Sequence, residues 1–271
     1  MEAVSFILRI EGGISDDGLL DIYDCANTTL GLARSANLVA HSLANEEEVR
    51  KRNQRAEGAK AYIKPPIRGC FEEVVEIRFD SWVVDKIGPS VFKNVFWDYM
   101  GWVWNSAAGG SFSPETAYVK KISRENQDFI YEISNALEVP LALVHKAILR
   151  DDSVKIYLNR PRVGDYAVFD KNTLDYVTIR EGVPDIAEFI GNVTRYSALS
   201  QYGRLYSSEE GRVISFEFDE KVNQAIRNVA IESMRAYENG DGVDYLITAS
   251  VIVSALGIVK RYIVHNVQAL D

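Results

Sequence analysis

Cysteine is almost missing from this sequence. Only Cys25 and Cys70 occur among 271 residues, and they form no CxxC pair. Two cysteines cannot build the disulfide framework of a small secreted domain, so both are expected as small buried hydrophobes in a reducing compartment. Histidine is nearly as scarce. His41, His145 and His265 stand singly, without the HxH, HExxH or Cys/His spacings that hold a metal. No GxSxG elbow, Walker loop or GxGxxG is present either. No metal and no cofactor is therefore expected, and nucleophilic catalysis has no motif to start from.

An excess of positive charge is also lacking. Lys and Arg number 30 against 39 Asp and Glu, a net charge of −9. The bases are spread along the chain, which excludes a dedicated duplex-DNA binder. The densest basic stretch, Arg50 to Arg55 with Lys51 and Arg52, follows Glu46, Glu47 and Glu48 directly and reads as a solvated helix with i,i+4 pairs. Long apolar runs are missing too. Ile87 to Val103 carries Lys93 and Asp98, and Tyr245 to Val259 is too short to cross a bilayer. Met1 to Ile10 holds Glu2 and Arg9 with no cleavage site after it, unlike a signal peptide. A soluble, cytoplasmic protein is expected.

What the chain does have is an ordinary globular composition, 47% hydrophobic and 25% charged, and enough length for two domains. The patterning predicts an α+β domain over 1–183 and a small barrel over 184–271. In the first part, Val4 to Ile10 and Leu19 to Tyr23 read as strands. A helix follows, capped by Asn27 or Thr28 and continuing, or restarting, through Glu46 to Arg55. Pro65-Pro66 and Gly69 punctuate two more strands, the second of which, Phe71 to Phe79, alternates clearly. Trp82 to Trp104 is an aromatic helix with a break at Gly88-Pro89. Ser113 with Pro114 opens a helix to about Glu138, and Pro140 opens a short one to Leu149. Strands at Val154 to Leu158, Asp165 to Phe169 and Leu174 to Ile179 complete this part.

After Gly182-Val183-Pro184 the pattern tightens. Ile186 to Ser197 is a strand with Gly191 as its bulge, and Tyr202 to Tyr206 and Arg212 to Phe218 form a hairpin. Asp219 caps a helix ended by Gly240, and Val243 to Val253 with Ile258 to Val267 form a last hairpin. Three strands, a helix and two strands resemble the oligonucleotide/oligosaccharide-binding (OB) fold, a five-stranded barrel; an SH3-like barrel with an inserted helix reads much the same. The resemblance implies a ligand face on the second and third strands. There Tyr202, Arg204 and Tyr206 share one face, with Arg195 and Arg212 nearby, a set suited to stacking a base and gripping phosphate. The bland alternative half-buries the tyrosines and pairs Arg204 with Glu217 across the hairpin. Lys260-Arg261 on the last strand is a second phosphate contact or a solvated edge.

Two other features bear on function. Glu76-x-Arg78 on its strand resembles the acid-x-lysine element of metal-dependent nucleases, with Asp21, Asp24 and His41 as further ligands. Arginine stands where that element has lysine, and it cannot act as a base. Phe92, Phe96, Trp97, Trp102 and Trp104 are residue types enriched at interface centres, so the aromatic helix is either a core helix or a self-association surface. The stretch from His41 through Gly69-Cys70-Phe71 is similar to uncharacterised bacterial or phage-encoded proteins, and a role in bacterium–phage conflict is the expectation that goes with that likeness. The reading is a non-catalytic binding protein for a nucleotide-like ligand, a single-stranded nucleic acid or a protein partner. A metal-dependent nuclease or phosphodiesterase centred on Glu76 and a homo-oligomeric assembly subunit are the alternatives.

Overall fold

The structure is a computed structural model that describes residues 1–50, 55–64, 71–179, 184–198, 201–241 and 243–270. Cys70, Lys51, Arg52, Pro65-Pro66, Gly69 and Gly182-Val183 lie outside the described residues. The chain divides into two compact units, Met1–Thr178 and Ile179–Asp271.

The first unit is built on a five-stranded antiparallel sheet. Its strands are β1 (Glu2–Glu11), β2 (Ala59–Ile63), β3 (Phe71–Phe79), β4 (Lys155–Arg160) and β5 (Gly164–Phe169), in the order β2-β3-β1-β4-β5. Strict alternation puts Val4, Phe6, Leu8 and Ile10 on the buried face of β1, opposite Val75, Ile77 and Phe79 of β3. Helices cover that face: α1 (Ile22–Ala44), α2 (Ser81–Ile87), α3 (Phe92–Ala107), α4 (Ala117–Glu125), α5 (Gln127–Val144), α6 (Lys146–Arg150) and α7 (Lys171–Val177).

Several local expectations are overturned, each by capping chemistry. Leu19 to Tyr23 is no strand, because the Asp21 carboxylate accepts the amides of Tyr23 (2.9 Å) and Asp24 (3.3 Å) and starts α1 there, six residues before the expected cap. That helix stops at Ala44. The Asn45 side chain donates to His41 O and Glu57 O, and Glu46 and Glu47 follow at φ 53° and 60°. Arg50 then pairs with Glu48 and Glu57 rather than continuing a helix. Thr116, not Ser113, caps α4, and its hydroxyl accepts the Val119 amide. Leu174 to Ile179 is helix α7 up to Val177, because Asp170 and Thr173 form a reciprocal capping box.

Pro140 lies inside α5 instead of opening a helix. It sits where α5 meets α1 at Gly31. A β-carbon on Gly31 would stand 2.5 Å from Pro140 O and 2.6 Å from Val144 N, so only glycine permits this approach. Beside it, the Thr28 hydroxyl donates to Val144 O (3.1 Å), satisfying a carbonyl at the end of α5.

The second unit is a closed barrel of β6 (Ile186–Tyr196), β7 (Tyr202–Ser207), β8 (Arg212–Phe218), β9 (Tyr245–Val253) and β10 (Val259–Ala269), with α8 (Gln224–Asn239) between the third and fourth strands. The order around the barrel is β10-β8-β7-β6-β9, closed by β9 on β10. β8 and β10 run parallel and every other pair is antiparallel. This crossover, with the helix ahead of the fourth strand, gives the barrel its OB-like character. Leu205, Ile214, Phe216, Ile247, Tyr262 and Val264 fill the interior. Asn223, not Asp219, caps α8 through the Ile226 amide, and Gly240 ends it in the left-handed conformation.

The register slips between Val193 and Arg195, so the bulge falls at Thr194 rather than Gly191. The Val193 amide is taken up by Ser233 Oγ of α8 (3.0 Å). Gly191 is needed for another reason: its β-carbon would lie 2.2 Å from Tyr206 O on the neighbouring strand.

Candidate functional site

The outer wall of the barrel is set by strand parity. Leu205 points into the core, so Tyr202, Arg204 and Tyr206 share the outer face of β7. The three differ in access. Tyr206 is 38% exposed and Arg204 is half-buried, while Tyr202 is buried at 8%. The expectation that both tyrosines stand in solvent around an arginine therefore fails for Tyr202.

The Thr194 bulge changes what stands beside Arg204. Before it, Phe189 and Val193 face the core; after it, Tyr196 packs against Phe216 and Phe218, so Arg195 turns outward. Arg195 lies directly opposite Arg204, Arg204 opposite Ser215, and Ser215 opposite Arg261 of the parallel strand β10. Three arginines thus occupy one row across four strands, about 14 Å of wall at the usual strand spacing. Glu217 faces Tyr202 and is only a diagonal neighbour of Arg204. Arg212 stands three residues before Ser215 at the start of β8, outside this row; its guanidinium donates to Val259 O (2.7 Å) and lies 3.4 Å from Glu210. Arg195 and Arg204 thus stand directly opposite one another across the β6–β7 pair.

The carboxylate candidates in the first unit do not assemble. Glu76, buried at 8%, lies on the face of β3 opposite Val75, Ile77 and Phe79, with Lys64 Nζ at 2.5 Å from one oxygen and Arg78 Nε at 2.7 Å from the other. These hydrogen bonds hold its carboxyl below the usual range, which keeps it ionised and occupied. Arg78 in turn stacks on Tyr62 (4.9 Å). Asp21 and Asp24 both bind Arg150, at 3.1 and 3.0 Å. His41 is seventeen positions along α1 from Asp24, about 26 Å at the helical rise. Among the described residues no group of three His, Cys, Asp or Glu is placed to hold a metal ion.

The aromatic helix is core. Phe92, Phe96, Trp97, Trp102 and Trp104 are all 8% exposed or less, and offer no face to a second copy. Their rings pack edge-on with the sheet and with one another, as in Phe79–Phe92 (5.0 Å) and Phe6–Trp104 (5.6 Å). Helices on one side and the sheet on the other enclose α3, which is why its apolar residues run all round it.

His145 and His41 are likewise structural. His145 Nδ1 meets Leu141 O (2.7 Å) and Nε2 meets Thr173 Oγ1 (2.9 Å), and burial pushes its pKa down to about 4. His41 Nδ1 accepts from the Glu57 amide (3.2 Å), and burial lowers its pKa as well. Cys25 is half-buried, with its thiol pKa raised by burial and by Glu73.

Fold and wall together define a class: an α+β chain ending in an OB-like barrel whose outside carries a transverse row of arginines. A family described as a domain of unknown function (DUF7946) matches residues 6–127, which lie wholly in the first unit and make up less than half of the chain. No curated protein and no solved structure matches the chain. Among the described residues, no helix is long and apolar enough to cross a membrane.

Proposed function

We propose that this chain is a non-catalytic binding protein whose barrel wall takes a phosphate-bearing ligand, either a nucleotide or a short single-stranded nucleic acid. The row Arg195, Arg204 and Arg261 carries the reading, because it gathers positive charge in line on a chain whose net charge is −9. Phosphates lie along the row, held by charge-assisted bonds, and an exposed Tyr206 beside it offers a face for one base. Tyr202 contributes packing beneath the wall rather than a stacking surface.

The test is fluorescence anisotropy with a labelled oligothymidylate and a labelled cyclic dinucleotide, at low and at physiological salt. Binding should weaken as salt rises, and by about tenfold in Arg195→Ala, with circular dichroism of the variant matching the parent. Tyr206→Ala should weaken the oligothymidylate more than the cyclic dinucleotide. Binding that is absent for every probe, or indifferent to Arg195, overturns the assignment of this wall.

A further inference from the structure

The turn between β1 and α1 leaves an apolar patch in solvent. Ile14 and Leu19 are each 57% exposed, Ile22 77% and Tyr23 75%, four large apolar side chains within ten residues. Arg150 of α6 ties this segment down by binding both Asp21 and Asp24, and Leu149 before it is 59% exposed. The next turn of chain closes the patch from the same side. Gly12 lies against Ser153 O, and Gly13 against the Asp151 carboxylate. The rim is strongly acidic. Residues 12–24 and 149–153 hold Asp16, Asp17, Asp21, Asp151 and Asp152, with Asp24 buried against Arg150 and with Arg9 and Lys155 as the nearest further bases, beside Gly12 and Asp16. An exposed apolar cluster inside a polar rim marks an interaction site, and the sign of this rim selects the occupant.

We infer that this surface of the first unit docks a cationic amphipathic segment of a partner protein, with the apolar side chains on Ile22 and Tyr23 and lysines or arginines on the surrounding aspartates. Interfaces of this kind draw their affinity from the apolar centre and their steering from the charged rim. A bilayer is the wrong occupant, because anionic lipid headgroups are repelled by the exposed aspartates. A second copy of this chain, itself acidic, would meet the same repulsion.

The test uses a fluorescein-labelled amphipathic helix of leucine and lysine, and a scrambled peptide of identical composition, titrated with the full chain by anisotropy. The amphipathic peptide should bind and the scrambled one bind at least about fivefold more weakly. Ile22→Ser with Tyr23→Ser should weaken binding by about tenfold, and Asp16→Asn with Asp17→Asn by about threefold, the latter difference shrinking in high salt. Glu238→Gln, an exposed acid in the other unit, should change nothing. These side chains are all exposed, so circular dichroism should show the parent fold in each variant. Equal binding of the scrambled peptide, or equal weakening by Glu238→Gln, overturns the proposal by showing attraction to net charge alone. A dimer in light scattering that Ile22→Ser with Tyr23→Ser dissolves also overturns it, assigning the patch to a second copy instead.

Discussion

Replacing Gly31 with alanine sets two effects of opposite sign against each other, and the structure says which should win. On helix propensity alone, alanine in the interior of α1 stabilises by about 1 kcal/mol. Its β-carbon, however, would stand 2.5 Å from Pro140 O, 2.6 Å from Val144 N and 2.9 Å from Leu143 Cβ. Two of these atoms are backbone and cannot rotate away, so α1 and α5 must separate. Overpacking of that kind costs up to about 3 kcal/mol, which leaves a net loss of about 2 kcal/mol. For the unit Met1–Thr178, the unfolding entropy is roughly 0.37 kcal/mol/K, so the midpoint should fall by about 5 °C in a thermal melt. Ala26→Gly, at an exposed site on the same helix, calibrates the propensity term and should cost about 1 kcal/mol. A Gly31→Ala variant that melts at or above the parent temperature would refute the close-approach argument.

Two further outcomes follow from buried polar groups. His145 has a pKa of about 4 in the folded chain against 6.5 when free, so the unfolded chain takes up the proton first. Stability should therefore fall as pH drops below about 6.5, reaching a loss of about 3 kcal/mol near pH 4, and urea titrations of His145→Gln should lack that slope. Asp98 is buried and accepts from the amides of Glu115 (2.9 Å) and Thr116 (2.7 Å) and from the Thr116 hydroxyl (2.6 Å). Asp98→Ala should lose about 3 kcal/mol in urea unfolding; a loss under about 1 kcal/mol would mean that water replaces the carboxylate.

The barrel was legible in the sequence because its strands are half-buried and alternate, so Leu205 and the Ile214, Phe216, Phe218 series declare an inside and an outside. The first unit was harder. Leu19 to Tyr23 is apolar enough to pass for a strand, yet a single carboxylate at Asp21 turns it into a helix start and leaves Ile22 and Tyr23 in water. Asp170 and Thr173 do the same to Leu174 to Val177. Composition alone could not separate a core helix from an interface at Phe92 to Trp104, since burial depends on what surrounds a helix and not on what it contains. The candidate site was half visible. Parity gives the face of Tyr202, Arg204 and Tyr206, but the Thr194 bulge brings Arg195 opposite Arg204, and a parallel pairing across more than forty residues adds Arg261. Neither leaves a local pattern to read.

That parallel pairing has a consequence for how the barrel comes into being. β10 is hydrogen-bonded to β8 on one side and β9 on the other, so until it is in place both neighbours carry raw edges. A ribosome must release nearly all of the second unit before the ring can shut, and a chain stopped ahead of Val259 would present two adhesive strands to whatever is nearby. The final strand works as the clasp of the unit, and cutting it away opens the ring to aggregation as well as removing Arg261 from the wall.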